Sequence, residues 1–375
     1  MKFKIKATKI EKSLIKKKIF ILKYINNFVN IANKNLKKIS FLELPGGEVS
    51  FFLKKRLLDN FILKNNSFNS KLKLINCWKY FFFYVFYVLF IYFHRKKNTG
   101  LSSKGKFLLL DNVSSENEKS LYDDIKKTKY KKNYLIRVTQ KDLVKQKNEI
   151  FFSRYKNYKI SFKELFHLFK ILFYAIKISF LYRINFVYLA LKLIDSILYY
   201  RSFFQEYRFD NMIMHQHYLS CNIKNFYFKK YGGKKTCLIQ KNIPTLNTNN
   251  DFIHCDLFFT IGKSCRIDNN FTKSKINTSI NIGSIFMNKY KKIINRNLYA
   301  KKKYDVICLG GNDLIPNGYY DTYDAYNADY LNHLHWLVKL KKNNPKLKIA
   351  FKHHSNNKNS FESNILKKTG VLMLD

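Results

Sequence analysis

The sequence predicts an α/β fold in which short parallel strands alternate with helices. After residue 98, brief runs of aliphatic and aromatic residues recur, and segments of helix length separate them. This alternation is typical of parallel sheets with helices on both faces. Glycine or histidine follows several of the runs, at the strand ends where open α/β sheets bind ligands. A chain of 375 residues with 46% hydrophobic content is long enough for two domains.

Residues 1–98 are predicted to form a basic, mostly helical N-terminal region. Within it, residues 80–93 are an uninterrupted run of fourteen apolar or aromatic residues with basic flanks. A bilayer span needs about twenty residues. Three interpretations of the segment 74–97 therefore stay open: a packed helix, an interfacial anchor and a true span. In the second and third, this segment associates with a membrane.

Residues 99–300 are predicted to form a first Rossmann-like domain. The chain joins it through a Gly- and Ser-rich linker at residues 98–105. Its predicted strands are residues 107–110, 134–138, 211–215, 235–239 and 256–261. Its predicted helices are residues 114–127, a pair within 162–204 that breaks near 183–185, and residues 220–231.

Residues 301–375 are predicted to form part of a second Rossmann-like domain. The pattern is strand, helix, strand, helix, strand, and the strands lie within residues 304–311, 348–354 and 371–375. Because such domains usually hold more strands, we expect this one to be incomplete.

The charge pattern argues for anionic partners other than nucleic acid. The formal net charge is +45, but 61 of the 70 basic residues are Lys and only 9 are Arg. Base and phosphate readers favour the planar fork of Arg, and no zinc-finger or recognition-helix pattern is present. An anionic membrane surface or an anionic substrate suits this charge better.

Cysteine usage points to the cytoplasm. The six cysteines form no C-x-x-C pair, and several lie inside apolar runs, as free thiols do. The N-terminus lacks the apolar run and cleavage site of a secretory signal.

Two histidines at the end of a predicted strand form the first candidate site. His215 and His217 are two residues apart, a spacing that places side chains on one face of a strand. A pair of imidazoles can bind a metal, hold a phosphate or act as a general base. It can equally be a hydrogen-bonded pair at a loop. No third ligand is nearby, so we expect no metal.

A second candidate site follows strands of the C-terminal region. Gly310 and Gly311 follow one predicted strand, and Lys352, His353 and His354 end the next. Glycines let a backbone approach a ligand, and basic groups before a helix suit an anion. A tight turn and a solvated basic loop are the alternatives.

Six short motifs are distributed along the predicted strands and the loops after them. They are His-Gln-His-Tyr-Leu-Ser at 215–220, Gly-Gly-Lys-Lys-Thr-Cys-Leu-Ile-Gln at 232–240, Cys-Asp-Leu-Phe-Phe-Thr-Ile-Gly-Lys at 255–263, Asn-Ile-Gly-Ser at 281–284, Tyr-Asp-Val-Ile-Cys-Leu-Gly-Gly at 304–311 and Phe-Lys-His-His-Ser at 351–355. Over roughly residues 100–375 this pattern resembles bacterial surface-polysaccharide glycosyltransferases of the two-Rossmann (GT-B) architecture. That group includes capsule and teichoic-acid-type transferases.

The chain departs from the family's pattern in three ways. Gln240, Lys241 and Asn242 stand where the family has Gln-His-Gly, and His354 and Ser355 stand where it has His-Pro. Donor domains of this family also continue for several more strands. The resemblance therefore implies a truncated or degenerate copy.

The resemblance implies a transfer reaction at the cytoplasmic side of the inner membrane. A sugar or polyol phosphate would pass from a nucleotide-activated donor to a glycan or lipid-linked acceptor. His215 or His217 would be the catalytic base, and the Gly310–Gly311 and Lys352–His353–His354 groups would face the donor phosphates. The family needs no cofactor or metal. The alternative is an inactive paralogue that acts as a membrane-peripheral scaffold.

Overall fold

The computed structural model describes most of the chain from residue 43 onward. The described residues are 16, 20–21, 23–31, 34, 43–59, 61–62, 67–68, 70–94, 107–127, 133–154, 158, 160–241, 252–262, 274–285, 303–310, 323–353 and 361–374. They divide into two compact units. The larger unit comprises residues 21–61 and 68–291, and the smaller one comprises residues 1–20, 62–67 and 292–375.

The larger unit is built on one seven-stranded sheet. Its strands are β1 (Phe107–Val113), β2 (Tyr134–Val138), β3 (Glu149–Phe151), β4 (Phe209–Met214), β5 (Lys235–Ile239), β6 (His254–Thr260) and β7 (Lys275–Asn281). All neighbouring strands are parallel, in the order β3-β2-β1-β4-β5-β6-β7. The order reverses between β1 and β4, as in doubly wound Rossmann-like domains.

The five strands predicted for this region are confirmed, with ends shifted by a few residues. The central strand β1 is buried over Leu108, Leu109 and Leu110, which is why it reads as a continuous apolar run. The edge strands β3 and β7 went unpredicted. β7 has the sequence Lys-Ile-Asn-Thr-Ser-Ile-Asn and is exposed along nearly its whole length. Edge strands are often short and polar, so they lack the hydrophobic pattern that marks a buried strand.

Helices cover this sheet and extend it toward the N-terminus. They are α1 (Gly46–Asp59), α2 (Cys77–Phe93), α3 (Glu116–Lys119), α4 (Phe162–Tyr182), α5 (Phe186–Glu206) and α6 (Asn222–Lys230). A 3-10 segment, Ser120–Lys127, continues α3, and shorter ones lie at Ser70–Leu72, Leu74–Asn76, Lys141–Leu143 and His217–Leu219. Two-residue strands lie at Phe61–Ile62 and Ser67–Phe68.

The predicted break between two long helices is confirmed and has a local cause. Arg183 takes a left-handed conformation with φ 56° and ends α4. The Asn185 side chain then accepts a hydrogen bond from the Tyr188 amide and caps α5. At the other end of α4, Ser161 and Glu164 form a reciprocal capping box. Local residues thus set both ends of α4 and the start of α5.

The N-terminal helices pack onto the seven-stranded unit. Helix α1 contacts α5 and α6, and α2 contacts α4 and α5. The Tyr84 hydroxyl donates to the Leu168 carbonyl over 2.8 Å and joins α2 to α4. Helix α2 buries the stripe formed by Cys77, Tyr84, Val88 and Ile91 and leaves the rest of its surface partly or fully exposed.

Within the described residues, two helical segments are long and apolar enough to cross a bilayer. They are Leu74–Phe93, which joins a 3-10 segment to α2, and Phe162–Tyr182, and their most apolar stretches are 22% and 39% buried. Length and composition alone are weak evidence for a span, because core helices of soluble proteins pass the same test.

The smaller unit holds a second parallel sheet. Its elements are β8 (Val306–Leu309), α7 (Tyr323–Asn343), β9 (Ile349–Lys352), α8 (Phe361–Leu366) and β10 (Leu372–Leu374). The strands are parallel in the order β8-β9-β10. Leu334, Leu337, Phe351 and Leu366 form its buried core. Both units are therefore parallel α/β folds compatible with Rossmann-like domains.

Candidate functional site

The candidate site lies where the strand order of the large sheet reverses. The chain leaves β1 and β4 toward opposite sides of this point, so the carboxyl ends of the two strands border a crevice. β1 ends with Asp111, Asn112 and Val113, and β4 is followed directly by His215. Doubly wound sheets bind their ligands in such a crevice.

A buried ion cluster centres on Asp111. Its side chain is 1% exposed and lies 2.5 Å from Nε of Arg137 and 2.6 Å from Nζ of Lys224. Burial opposes ionisation of Asp111, but the two adjacent cations outweigh it and hold its pKa well below the usual range. The cluster joins β1 to β2 and α6 and carries two positive charges against one negative charge.

The backbone turns sharply just after this aspartate. Asn112 has φ 64°, a left-handed conformation that Asn adopts more readily than most residues. The pairing register between β1 and β2 shifts between Leu110 and Val113 at the same place. Nη2 of Arg137 lies 3.5 Å from Oδ1 of Asn112, at the limit of a hydrogen bond. The left-handed residue and the register shift thus both fall at the end of β1, directly after Asp111.

His215 is fully buried beside a carboxylate. Its Nε2 lies 3.1 Å from Oε1 of Glu118, which makes an ion pair when the imidazole is protonated. Neither ring nitrogen has a hydrogen-bond partner within the described chain. The Tyr122 ring meets the imidazole edge to face at 5.9 Å, and the hydroxyl of Tyr122 is likewise unpaired within those ranges. Buried polar atoms are nearly always hydrogen-bonded, so these unpaired groups make the cluster of His215, Glu118 and Tyr122 a candidate site.

Glu118 is held in place by its own neighbours. It accepts hydrogen bonds from the amide and hydroxyl of Ser114 at 2.6 and 2.7 Å, and from Nε2 of Gln216 at 2.6 Å. Burial opposes its ionisation, but the two hydrogen bonds from Ser114 and nearby His215 lower its pKa. Burial in turn lowers the pKa of His215, although Glu118 opposes that shift. A neutral imidazole thus lies next to an ionised carboxylate, a pairing that can accept a proton.

His217 occupies a separate environment. The ring is 1% exposed, and its Nδ1 lies 3.4 Å from the backbone nitrogen of Lys241. Burial, reinforced by the positive charges of Lys55 and Lys241, lowers its pKa to about 4. Because β4 ends at Met214, the alternation of a strand does not govern these histidines, and the two rings contact different groups.

The second predicted site lies on the smaller unit. The Gly310 amide donates to the Lys352 carbonyl over 2.7 Å, so the ends of β8 and β9 are adjacent. Lys352 is exposed, whereas Nδ1 of His353 is hydrogen-bonded to the fully buried carboxylate of Glu362 on α8. Gly311 and His354 lie outside the described residues.

A cavity of the larger unit lies away from the crevice. It measures about 760 Å³ and is lined from α4, α5 and the end of α6. The end of α5 lies just before β4 begins, so the cavity and the His215 cluster lie toward opposite ends of this strand.

Several residues around Asp111 and the two histidines were not predicted as site residues. The sequence could have identified Asp111, because it interrupts an apolar strand at its carboxyl end. It gives a weaker indication for Arg137, a charged residue inside a short strand. It gives none for Lys224, Lys241 and Glu118, because many similar charged residues occur in helices and loops.

Comparison with known proteins returned no match to any family model, curated protein or solved structure. The resemblance to GT-B transferases therefore depends on the motifs of the sequence and on a fold that is compatible with them. Fold alone does not assign a function, since many unrelated activities share Rossmann-like sheets.

Proposed function

We propose that this protein is a glycosyltransferase-like protein of surface-polysaccharide biosynthesis, with its acceptor site at the His215 cluster. The observation that carries the proposal is a buried imidazole with no hydrogen-bond partner in the described structure, 3.1 Å from an ionised carboxylate. Reactive sites typically hold such ring nitrogens without hydrogen bonds. The position also fits, because α/β sheets bind ligands where their strand order reverses.

In this proposal His215 is the general base. The hydroxyl of the acceptor transfers its proton to the imidazole as its oxygen bonds to the transferred group, and the nucleoside diphosphate leaves with the bonding pair. The imidazolium that forms is stabilised by Glu118, which Ser114 and Gln216 hold in position. Because His215 is closed off from solvent, the loop 215–221 moves aside when the acceptor enters.

The charge of the site suits a phosphate-bearing acceptor or donor. The charge of Lys241 acts on both histidines and that of Lys55 on His217, while Arg137 and Lys224 flank Asp111. Two carboxylates, those of Asp111 and Glu118, oppose these four cations. An excess of positive charge in a crevice attracts anions and raises their local concentration. This excess supports a substrate that carries phosphate.

In the same proposal the smaller unit binds the donor. The exposed Lys352 and the backbone at Gly310 border the carboxyl ends of two adjacent parallel strands. The protein works in the cytoplasm at the inner membrane surface, and the exposed aromatic face of α2 supports this location.

The burial of both histidines favours a second candidate, an inactive scaffold. His215 and His217 are 0% and 1% exposed, so neither meets a substrate without a change in the loop. A scaffold of surface-glycan assembly would keep the fold and the membrane surface but neither bind a nucleotide donor nor transfer a sugar.

Binding of nucleotides separates the two candidates. The melting temperature of the full chain is measured with and without UDP, CDP and their sugar conjugates, because a ligand of the folded state raises it. We expect a rise with at least one of them, and transfer activity that His215→Gln abolishes. The matched control, His335→Gln, changes an exposed histidine of α7 and leaves both readouts unchanged. No rise with any of these ligands would overturn the transferase proposal and favour the scaffold.

A further inference from the structure

Helix α4 carries two parallel rows of exposed side chains. The Phe row and the Lys row each repeat every seven residues, and each Phe follows a Lys by three residues. The pairs are Lys163 with Phe166, Lys170 with Phe173, and Lys177 with Phe180. Seven residues make nearly two helical turns, so each row stays on one side of the helix. The three Phe side chains are 63%, 66% and 48% exposed.

The Lys row borders the cavity of about 760 Å³. Lys163, Phe166 and Lys170 line this cavity together with Lys230 from the end of α6. The third lysine of the row, Lys177, lies outside it. Phe166 belongs to both features, because it lines the cavity and is exposed on the Phe row. The cavity therefore opens beside an apolar row.

The charge of the cavity favours an anion. Its two carboxylates are already engaged, because Glu164 pairs with Arg201 and Glu43 pairs with Lys230. Lys163 and Lys170 have no ion-pair partner within the described ranges. Two uncompensated ammonium groups at the mouth of a cavity attract a phosphate or carboxylate group.

The apolar surface beside the cavity continues onto α2. Phe162 contacts Phe166 at 5.0 Å and the Tyr92 ring of α2 at 6.2 Å between ring centroids. Helix α2 adds exposed aromatic side chains, namely Trp78, Phe82, Phe83, Phe86, Phe90 and Phe93. A contiguous aromatic surface of this extent marks an interaction site, and aromatic residues with flanking lysines favour the membrane–water boundary.

We propose that the cavity binds the phosphate head group of a membrane lipid whose chains lie against the Phe row. An amphiphile matches both features at once, since its anion meets Lys163 and Lys170 and its hydrocarbon meets Phe166 and the aromatic surface. The inference rests on the proposed membrane location and is independent of the transfer reaction at His215.

The test measures binding of the full chain to vesicles by sedimentation. One set of vesicles contains phosphatidylcholine alone, and the other contains phosphatidylcholine with phosphatidylglycerol. Lys170→Gln and Lys177→Gln form a matched pair, because both lysines are exposed on one row of α4 and only Lys170 lines the cavity. A lysine that merely faces an anionic surface contributes about fivefold in affinity.

We expect Lys177→Gln to weaken binding to the phosphatidylglycerol vesicles by at most about fivefold. Lys170→Gln weakens it more, and the double variant Lys163→Gln/Lys170→Gln abolishes the preference for phosphatidylglycerol. Phe173→Ser weakens binding to both vesicle sets, because it removes apolar contact without changing charge. Unchanged melting temperatures verify that these surface variants fold.

Three results would overturn the inference. Equal losses for Lys170→Gln and Lys177→Gln would show a general electrostatic surface without a head-group site. Binding of glycerol phosphate in the absence of lipid, abolished by Lys170→Gln and as tight as binding to vesicles, would make the ligand a soluble phosphate. Wild-type protein that ignores both vesicle sets and self-associates would assign the aromatic surface to a second copy and remove the membrane location too. A retained response to nucleotides would still leave the transferase proposal intact.

Discussion

The two units place a histidine just after a parallel strand, and the two histidines have opposite surroundings. His353 follows β9 and is hydrogen-bonded to Glu362, a buried carboxylate on α8. His215 follows β4 and is buried without a hydrogen-bond partner in the described structure, although Glu118 is 3.1 Å away. The same local pattern thus joins a helix to a strand in one unit, and in the other it buries an imidazole whose ring nitrogens have no hydrogen-bond partner among the described residues.

The buried acids of the two units differ in the same way. Asp111 meets two permanent cations, whereas Glu362 meets a histidine ring. Asp111 is therefore paired with the guanidinium of Arg137, which is always charged, as well as with Lys224. A histidine at a strand end is a candidate for chemistry only when the fold does not already use its ring nitrogens.

The largest expected effect comes from breaking the Asp111 cluster. Arg137→Met leaves a buried carboxylate with one of its two cations, and removing one member of a buried ion pair costs about 3–5 kcal/mol. We expect the urea unfolding free energy to fall by that amount. Lys145→Met, which removes an exposed cation, changes it little. A loss no greater than that of the control would mean that the cluster does not hold β1, β2 and α6 together.

The second effect is a pH dependence due to His217. Its folded pKa of about 4 lies below the unfolded value, so the unfolded chain takes up a proton first as the pH falls. Stability is lost between about pH 6.5 and 4, by up to about 3 kcal/mol. His217→Gln should lose less over this window in parallel urea titrations at each pH. Identical slopes for wild type and variant would contradict a buried, neutral His217.

A smaller effect is expected at His353, the histidine that is hydrogen-bonded to Glu362. His353→Ala removes a hydrogen bond from the buried carboxylate of Glu362 and should cost about 1–3 kcal/mol. His353→Gln keeps a donor and should restore most of it. The unfolding free energy of the full chain measures both variants. If alanine and glutamine behave alike, the bond to Glu362 does not stabilise α8.

The smallest effect concerns the electrostatics around His217. Lys241→Gln removes one of the two charges that depress the pKa of this ring, so the pKa should rise toward its usual value while staying below it. A histidine-resolved NMR titration measures the shift. Lys234→Gln, an exposed lysine paired distantly with Asp210, serves as the control and should leave the titration unchanged. If His217 titrates identically in both variants, Lys241 does not influence its pKa.

Much of the fold follows from short-range patterns. The apolar run at Leu108–Leu110 predicts a central strand, and the polar interruption at 183–185 predicts the end of one helix and the start of the next. These patterns succeed because burial and capping act on neighbours in the chain. The edge strand Lys275–Asn281 escapes prediction because nearly all of its side chains are exposed, so it lacks the apolar pattern of a buried strand.

The alternating α/β plan, the basic charge and the histidines that follow strands can all be read from the order of the residues. The order of the residues does not reveal that Asp111, Arg137 and Lys224 form one buried cluster, or that Lys163 and Lys170 border a cavity. Charged residues are abundant in this chain, and nothing along it distinguishes one from another. Their chemistry depends on burial and on partners that are distant in sequence, and folding brings those partners together.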